Sequence, residues 1–341
     1  MFKKILAAAC CLMLIFAVGC DKTVVYEDLS DYETESETEV TANDFSTNPL
    51  TGTEVSKEIA ARRPVAIMVN NVKTAQKVQT GVAKADIVYE TEVEGGITRL
   101  MAVYQDISGI DKIGSVRSAR YPYVDLALGH DAIYVHCGQD PTYCAPHLKD
   151  IDDLSIDTNS KGAKRISNGL SSEHTLYALG GDLWKNLSGS FKTDATRTGN
   201  WANFTDEQLA LDGGAAASVS VPFPTQTESF TYDASTGLYT RLLGGAVATD
   251  YFTDEQIQIK NVFILLTSIS NYPDGKHRKV DLIGGDGYYI TNGTVQFIKW
   301  SKGDAKNGLS FTDTNGNEIK VSTGKSWVCI ADKTTCNPTF Q

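Results

Sequence analysis

From residue 87 to 94 the side chains alternate, with Tyr89, Thr91 and Val93 on one face and Glu90, Glu92 and Glu94 on the other. A period of two is the signature of a strand, and Gly95-Gly96 supplies the positive φ that a two-residue turn needs. In that register Glu94 faces Ile97, Glu92 faces Arg99 and Glu90 faces Met101, which makes Glu92 and Arg99 a cross-strand ion pair. Upstream, residues 65–69 read as a short apolar strand closed by Asn70-Asn71, and residues 79–85 as a loop with one helical turn. Downstream, Pro122 fits the first turn of a helix that continues through Val124, Leu126 and Leu128 and stops at Gly129, before a strand over 132–136. Strand, helix and strand in succession predict an α/β domain over residues 62–215, a mixed sheet covered by helices. Residues 141–215 add only short helical pieces, near 146–153 and 176–187, among glycine-rich loops.

From about Phe223 the pattern changes to closely spaced strands at 229–232, 238–243, 262–268, 279–283, 288–290, 295–300 and 326–330. Asn292-Gly293 and Asn315-Gly316 are hairpin markers. Residues 223–341 therefore read as a mainly antiparallel β domain.

The first 61 residues follow neither pattern. Lys3 and Lys4 precede an apolar run over 5–18 that ends in Ala17-Val18-Gly19-Cys20. Such a run is too short to span a bilayer of ~30 Å, and its order of charge, apolar stretch and small residues is that of a secretory signal. The cysteine at the cleavage point resembles a bacterial lipobox. We therefore expect a signal peptide over 1–19 and lipidation of Cys20, which places the chain on the outer face of the cell membrane. Two or more acyl chains, at ~0.8 kcal/mol per buried CH₂, hold where one does not. Residues 20–61 carry eleven acidic and two basic side chains, and the Glu/Thr/Ser alternation after Tyr26 lacks the apolar surface to offset chain entropy. They read as an acidic disordered tether.

That tether absorbs most of the charge. The whole chain carries −11, residues 1–19 contribute +2 and the tether −9, so residues 62–341 carry −11 − 2 + 9 = −4. With no basic stripe, nucleic acid is excluded as a partner. Removing Cys10 and Cys11 with the signal and acylating Cys20 leaves Cys137, Cys144, Cys329 and Cys336. Outside the membrane these can form the local pairs 137–144 and 329–336 or stay as buried thiols. Their spacing fits no metal site, and no cofactor motif is present.

At ADIVYETEVEGGITRL, IGSVRSAR and AIYVHCG the chain resembles the YerB family of bacterial lipoproteins, described by a DUF3048 domain with N- and C-terminal parts. The likeness continues through Asn261-Val262, residues 282–287, Asn292-Gly293, Trp300-Ser301-Lys302 and residues 324–327. It departs at Asn70-Asn71, where the family pattern has Asp-Asn, at Gly114-Ser115, where it has Gly-Pro, and at His174, within a stretch that usually contains Pro-His-Asn. The first departure removes an acid from position 70. The resemblance implies an envelope location and brings no established chemistry.

Candidate ligand-binding residues are Glu92, Glu94, Arg99, Arg117, Ser118, Arg120 and His136. Two guanidiniums, a hydroxyl and free N–H groups before a helix suit a carboxylate or phosphate, as on a wall fragment or an envelope protein. The alternative is that Arg117 and Arg120 pair with Glu90, Glu92 or Glu94. We expect Arg117 to be structural and Arg120 the more exposed. Glu92 and Glu94 are likewise either an acid/base pair or exposed hairpin carboxylates. His136, with His174 and His147, is either a base or metal ligand or a satisfied structural residue. Two functional classes follow: an envelope binding or accessory protein, and an envelope hydrolase acting on wall material through Glu92/Glu94 and His136. No nucleophile motif is present, which favours the first.

Overall fold

The computed structural model describes residues 44–157, 162–197 and 199–341. The expected signal peptide, Cys20 and tether residues 20–43 lie outside these. Residues 44–61 are folded, contrary to the expected tether. Asn48 caps its own turn by accepting the N–H of Leu50, and its amide donates to Asp86 at 3.1 Å. Leu50 is buried in the core, and Phe45–Thr47 pairs with Glu54–Ser56. A single apolar anchor beside an Asn-Pro turn orders this stretch despite its polar composition.

Strands β1 (Val65–Asn70), β2 (Ile87–Glu92) and β3 (Thr98–Tyr104) are buried along their whole length. Burial of both faces is the mark of strands covered on two sides. Next come helix α1 (Tyr121–Gly129), with Pro122 in its first turn, strand β4 (Ile133–His136) and helix α2 (Gly180–Ser190). The second half supplies β5 (Ser218–Pro222), β6 (Thr227–Asp233), β7 (Leu238–Leu243), β8 (Asn261–Thr267), β9 (Gly284–Thr291), β10 (Thr294–Ser301) and β11 (Ser326–Asp332).

These form two main sheets. The larger has ten strands in the order Ser310–Thr312, β10, β9, β8, β11, β2, β3, β1, β4, Asp153–Ser155. The smaller is built on β7, β6 and β5. Side chains of β1 alternate between two cores. Val65, Ile67 and Val69 share one with Val219, Val221, Phe230 and Tyr239 of the smaller sheet and with Leu183 and Leu187 of α2. Ala66 and Met68 share the other with Tyr123, Val124, Leu126 and Ala127 of α1.

The protein is mainly β, with fewer helices than an α/β reading of residues 62–215 implies. Residues 176–178 are a strand rather than the start of a helix. The second half is mostly antiparallel, but β8 runs parallel to β11 and β11 parallel to β2. Strands of the two halves occupy opposite flanks of the large sheet and meet at that β11–β2 ladder.

Candidate functional site

Strands β2 and β3 end where α1 begins, and one hydroxyl fixes the junction. Tyr123 of α1 accepts the N–H of Thr91 at 3.0 Å and donates to the carbonyl of Arg99 at 2.6 Å. The hairpin register differs from the expected one: Glu92 faces Thr98, and Glu90 faces Leu100. The loop takes three residues, closed by Val93 N–H to the carbonyl of Ile97 at 2.8 Å. Gly95 (φ 67°) and Gly96 (φ 74°) are both left-handed, so Glu94 is drawn into the turn. Glu92 and Arg99 are consequently not a cross-strand pair. Glu92 meets Arg278 at 3.2 Å instead, and Arg99 meets Glu94 at 3.8 Å.

Glu94 is the hub of a charged cluster. It binds the Nε of Arg120 and lies 3.3 Å from Nε2 of His277. Burial pushes its carboxyl up, but the bonded Arg120 guanidinium outweighs this and holds it below the ordinary glutamate range. In Glu92 burial wins over Arg278, and the carboxyl is raised. Arg99, buried with Arg120 and Arg117 close by, is brought down to about 10, and its Nη1 donates to the carbonyl of Ser118 at 2.6 Å. Asp140 faces His277 at 3.3 Å and accepts the N–H groups of Tyr143 and Cys144 at 2.5 and 2.9 Å.

Arg117 and Arg120 do not converge. The run from Val116 to Ala119 is bridged to Val69 and Gln139, and in an extended chain residues three apart point to opposite faces. Arg120 turns to Glu94; Arg117 turns away to Glu173, with Nη1 3.2 Å from its carboxylate. Contrary to expectation, Arg117 is the more exposed side chain, 23% against 17%. Its Nε is shielded from solvent and has no hydrogen-bond partner among the described residues. Ser118 is half-buried beside Gly138.

His136 is buried and stands apart from this cluster. Its Nδ1 lies 2.8 Å from the carbonyl of Gly138 and its Nε2 2.9 Å from Asp153, so neither nitrogen is open to a substrate proton or a metal. Asn70 lies 2.8 Å from Nδ1 of His174, and His147 pairs with Asp125 at 2.8 Å. Among the described residues no group of three or more His, Cys, Asp or Glu side chains could hold a metal ion. Cys137, Cys144, Cys329 and Cys336 are free thiols; burial pushes Cys144 and Cys336 up to about 12.

A second polar cluster lies between the sheets. Glu90, fully buried, accepts from Asn71 (2.9 Å), Thr98 (2.7 Å), Gln226 (3.0 Å) and Nε1 of Trp327 (3.2 Å). Arg241 grips Glu228 through two bonds of 2.7 and 2.9 Å and stacks 4.5 Å over Trp327. Burial and the neighbouring Glu228 raise Glu90 well above the ordinary glutamate value. Sequence reasoning missed Arg241, Glu228, Glu173, Asp140, His277 and Arg278. No local signal in the sequence says where the loop that carries His277 and Arg278 lands.

The fold and its charged junctions define a two-sheet, mainly β protein with a polar seam and an arginine-rich edge. The chain belongs to the DUF3048 family. Residues 50–194 match the model described as "Protein of unknown function (DUF3048) N-terminal domain", and residues 219–328 match that of the DUF3048 C-terminal domain. It is 30% identical over 299 residues to the Bacillus subtilis (strain 168) protein named "Putative lipoprotein YerB", covering 83% of this chain and 85% of that one. The crystal structure of YerB protein from Bacillus subtilis superposes with a TM-score of 0.72 at 28% identity, covering 86% of this chain and 99% of that chain.

Proposed function

We propose that the protein is a lipoprotein tethered by Cys20 to the outer face of the cell membrane, where it binds an anionic group at Arg117. The ligand class is a carboxylate or phosphate, carried by a wall fragment or an envelope partner. The observation that carries the reading is the Nε of Arg117, which has no partner among the described residues and, being shielded from solvent, meets a ligand only as the side chain turns outward. A guanidinium presents Nε–H and one Nη–H as a fork that matches an oxyanion, and among the described residues Arg117 is bonded through Nη1, to Glu173. The positive field of Arg99 acts at the same place, and Ser118 follows in the chain. Arg120 and Glu94 neutralise each other, so they shape this edge without binding the ligand. The hydrolase reading loses its base, because both nitrogens of His136 are occupied.

Two measurements test this. Cys20→Ala is expected to move the protein from the membrane to the soluble fraction or leave it unprocessed; a processed form still held in the membrane contradicts the anchor. Calorimetric titration with inorganic phosphate is expected to show saturable binding that Arg117→Gln weakens about tenfold, with little change in melting temperature because its ion pair with Glu173 is exposed. Equal binding by both proteins contradicts the site.

A further inference from the structure

Beyond the Arg117 edge, the hairpin of Ile269–Asn271 and Arg278–Val280 closes over the end of β2 and the start of α1. Its loop is stiff: Tyr272 N–H donates to the carbonyl of His277 at 2.9 Å, and Asp274 accepts from Lys276 and His277 at 3.0 and 3.1 Å. Beneath it lies a recess walled by tyrosines. The ring of Tyr272, on the hairpin, is stacked on Tyr143, with centroids 3.9 Å apart and planes 15° from parallel. Tyr121 meets Tyr272 edge-on at 5.9 Å. Directly beside the stack stand Glu94 and Asp140, each 3.3 Å from Nε2 of His277. Nε of Arg278, which also lines the recess, is shielded from solvent and has no partner among the described residues.

We propose that this recess is a saccharide-binding site, in which a pyranose ring displaces Tyr272 from the face of Tyr143. A sugar ring offers C–H groups on its face and hydroxyls around its edge. It is recognised by a flat aromatic surface flanked by planar donors and acceptors, and both parts are adjacent here. Glu94 and Asp140 accept from hydroxyls, while His277 and Arg278 donate. As it stands the recess is filled: about 10 Å³ of open space remains, at most room for one water and far below the ~300–1,000 Å³ usual for small-molecule sites, so entry requires the hairpin to lift. What holds it down is the partly exposed His277–Glu94 pair, the Arg278–Glu92 pair with its buried carboxylate, the hydrogen bonds between Tyr121 and Val280, and the tyrosine stack. Of these the His277–Glu94 pair is the weak one.

The site is independent of anion binding, since Arg117 is not in its wall. Titration of the full chain with cellotetraose and with chitotetraose, followed by tyrosine fluorescence, tests it. Saturable binding of either probe is expected, weakened about tenfold or more by Tyr143→Ala and preserved by Tyr143→Phe and Arg117→Gln. Tyr272→Ala, which bares the Tyr143 face, is expected to bind at least as tightly as wild type. Binding of neither probe, undiminished binding by Tyr143→Ala, or loss of binding in Tyr272→Ala overturns the proposal. Should Tyr143→Ala fail to fold, the Tyr272→Ala result decides.

Discussion

At the scale of single residues, Glu90 and Arg241 show what burial does to charge. Arg241 satisfies Glu228 with a two-bond fork, and its third nitrogen donates to Gln79 at 2.8 Å. Removing one partner of such a pair strands a buried charge, so Arg241→Met is expected to cost ~3–5 kcal/mol by urea denaturation. Glu90 has the opposite problem, a carboxyl lifted above its ordinary 4.5 by burial and Glu228. The folded state then holds this proton more tightly than the unfolded chain. The resulting stabilisation is complete below about pH 4.5 and is lost as pH rises through the folded value. Asp86 and Asp250, both pushed up to about 6 by burial, add the same sign between about pH 4 and 6. Glu90→Gln, neutral throughout, is expected to flatten the fall in stability as pH rises above the ordinary glutamate value, measured by urea midpoints. An unchanged slope means that Glu90 is ionised in the fold. The alternation around Glu90 was readable in the sequence. Its burial was not, because the face carrying the glutamates is covered by a sheet drawn from residues more than a hundred positions away.

At the scale of elements, strand and helix positions were largely legible and their registers were not. The 65–69 and 238–243 strands, the 121–129 helix and the Asn292-Gly293 turn follow from local pattern, and the structure has them at those places. The β2–β3 hairpin slipped because two adjacent glycines fit a two-residue or a three-residue loop equally well. Packing chose the longer one: a Cβ on Gly96 would sit 2.9 Å from Cβ of Pro224, whereas one on Gly95 meets open space. Both have positive φ, so Gly95→Ala is expected to cost ~1 kcal/mol from backbone strain alone. Gly96→Ala adds a clash with the loop before β6 and is expected to cost ~2–3 kcal/mol. Equal losses in chemical denaturation would show that the Pro224 contact yields freely. The extended run over 116–119 places Arg117 and Arg120 on opposite sides. Two arginines three apart look like one site on paper, and an extended chain separates them.

For the molecule as a whole, the decisive contact is one that no local pattern announces. Residues 326–330 lie parallel to 87–91, so the last long strand inserts beside the hairpin that carries the glutamates. The seam between the sheets and the arginine edge both sit around that hairpin, the first on its inner face and the second at its end. The seam is closed and fully bonded, which suits a structural role. At the edge, the Nε of Arg117 has no partner among the described residues, and on that difference the binding reading rests. Its most direct test is the ¹⁵N–¹H signal of Arg117 Nε, assigned through Arg117→Lys, during titration with inorganic phosphate. A saturable shift at Arg117 Nε that exceeds those of Arg99 and Arg120 is the predicted result. A resonance that stays still while phosphate binds elsewhere, or no saturable shift at all, contradicts the account.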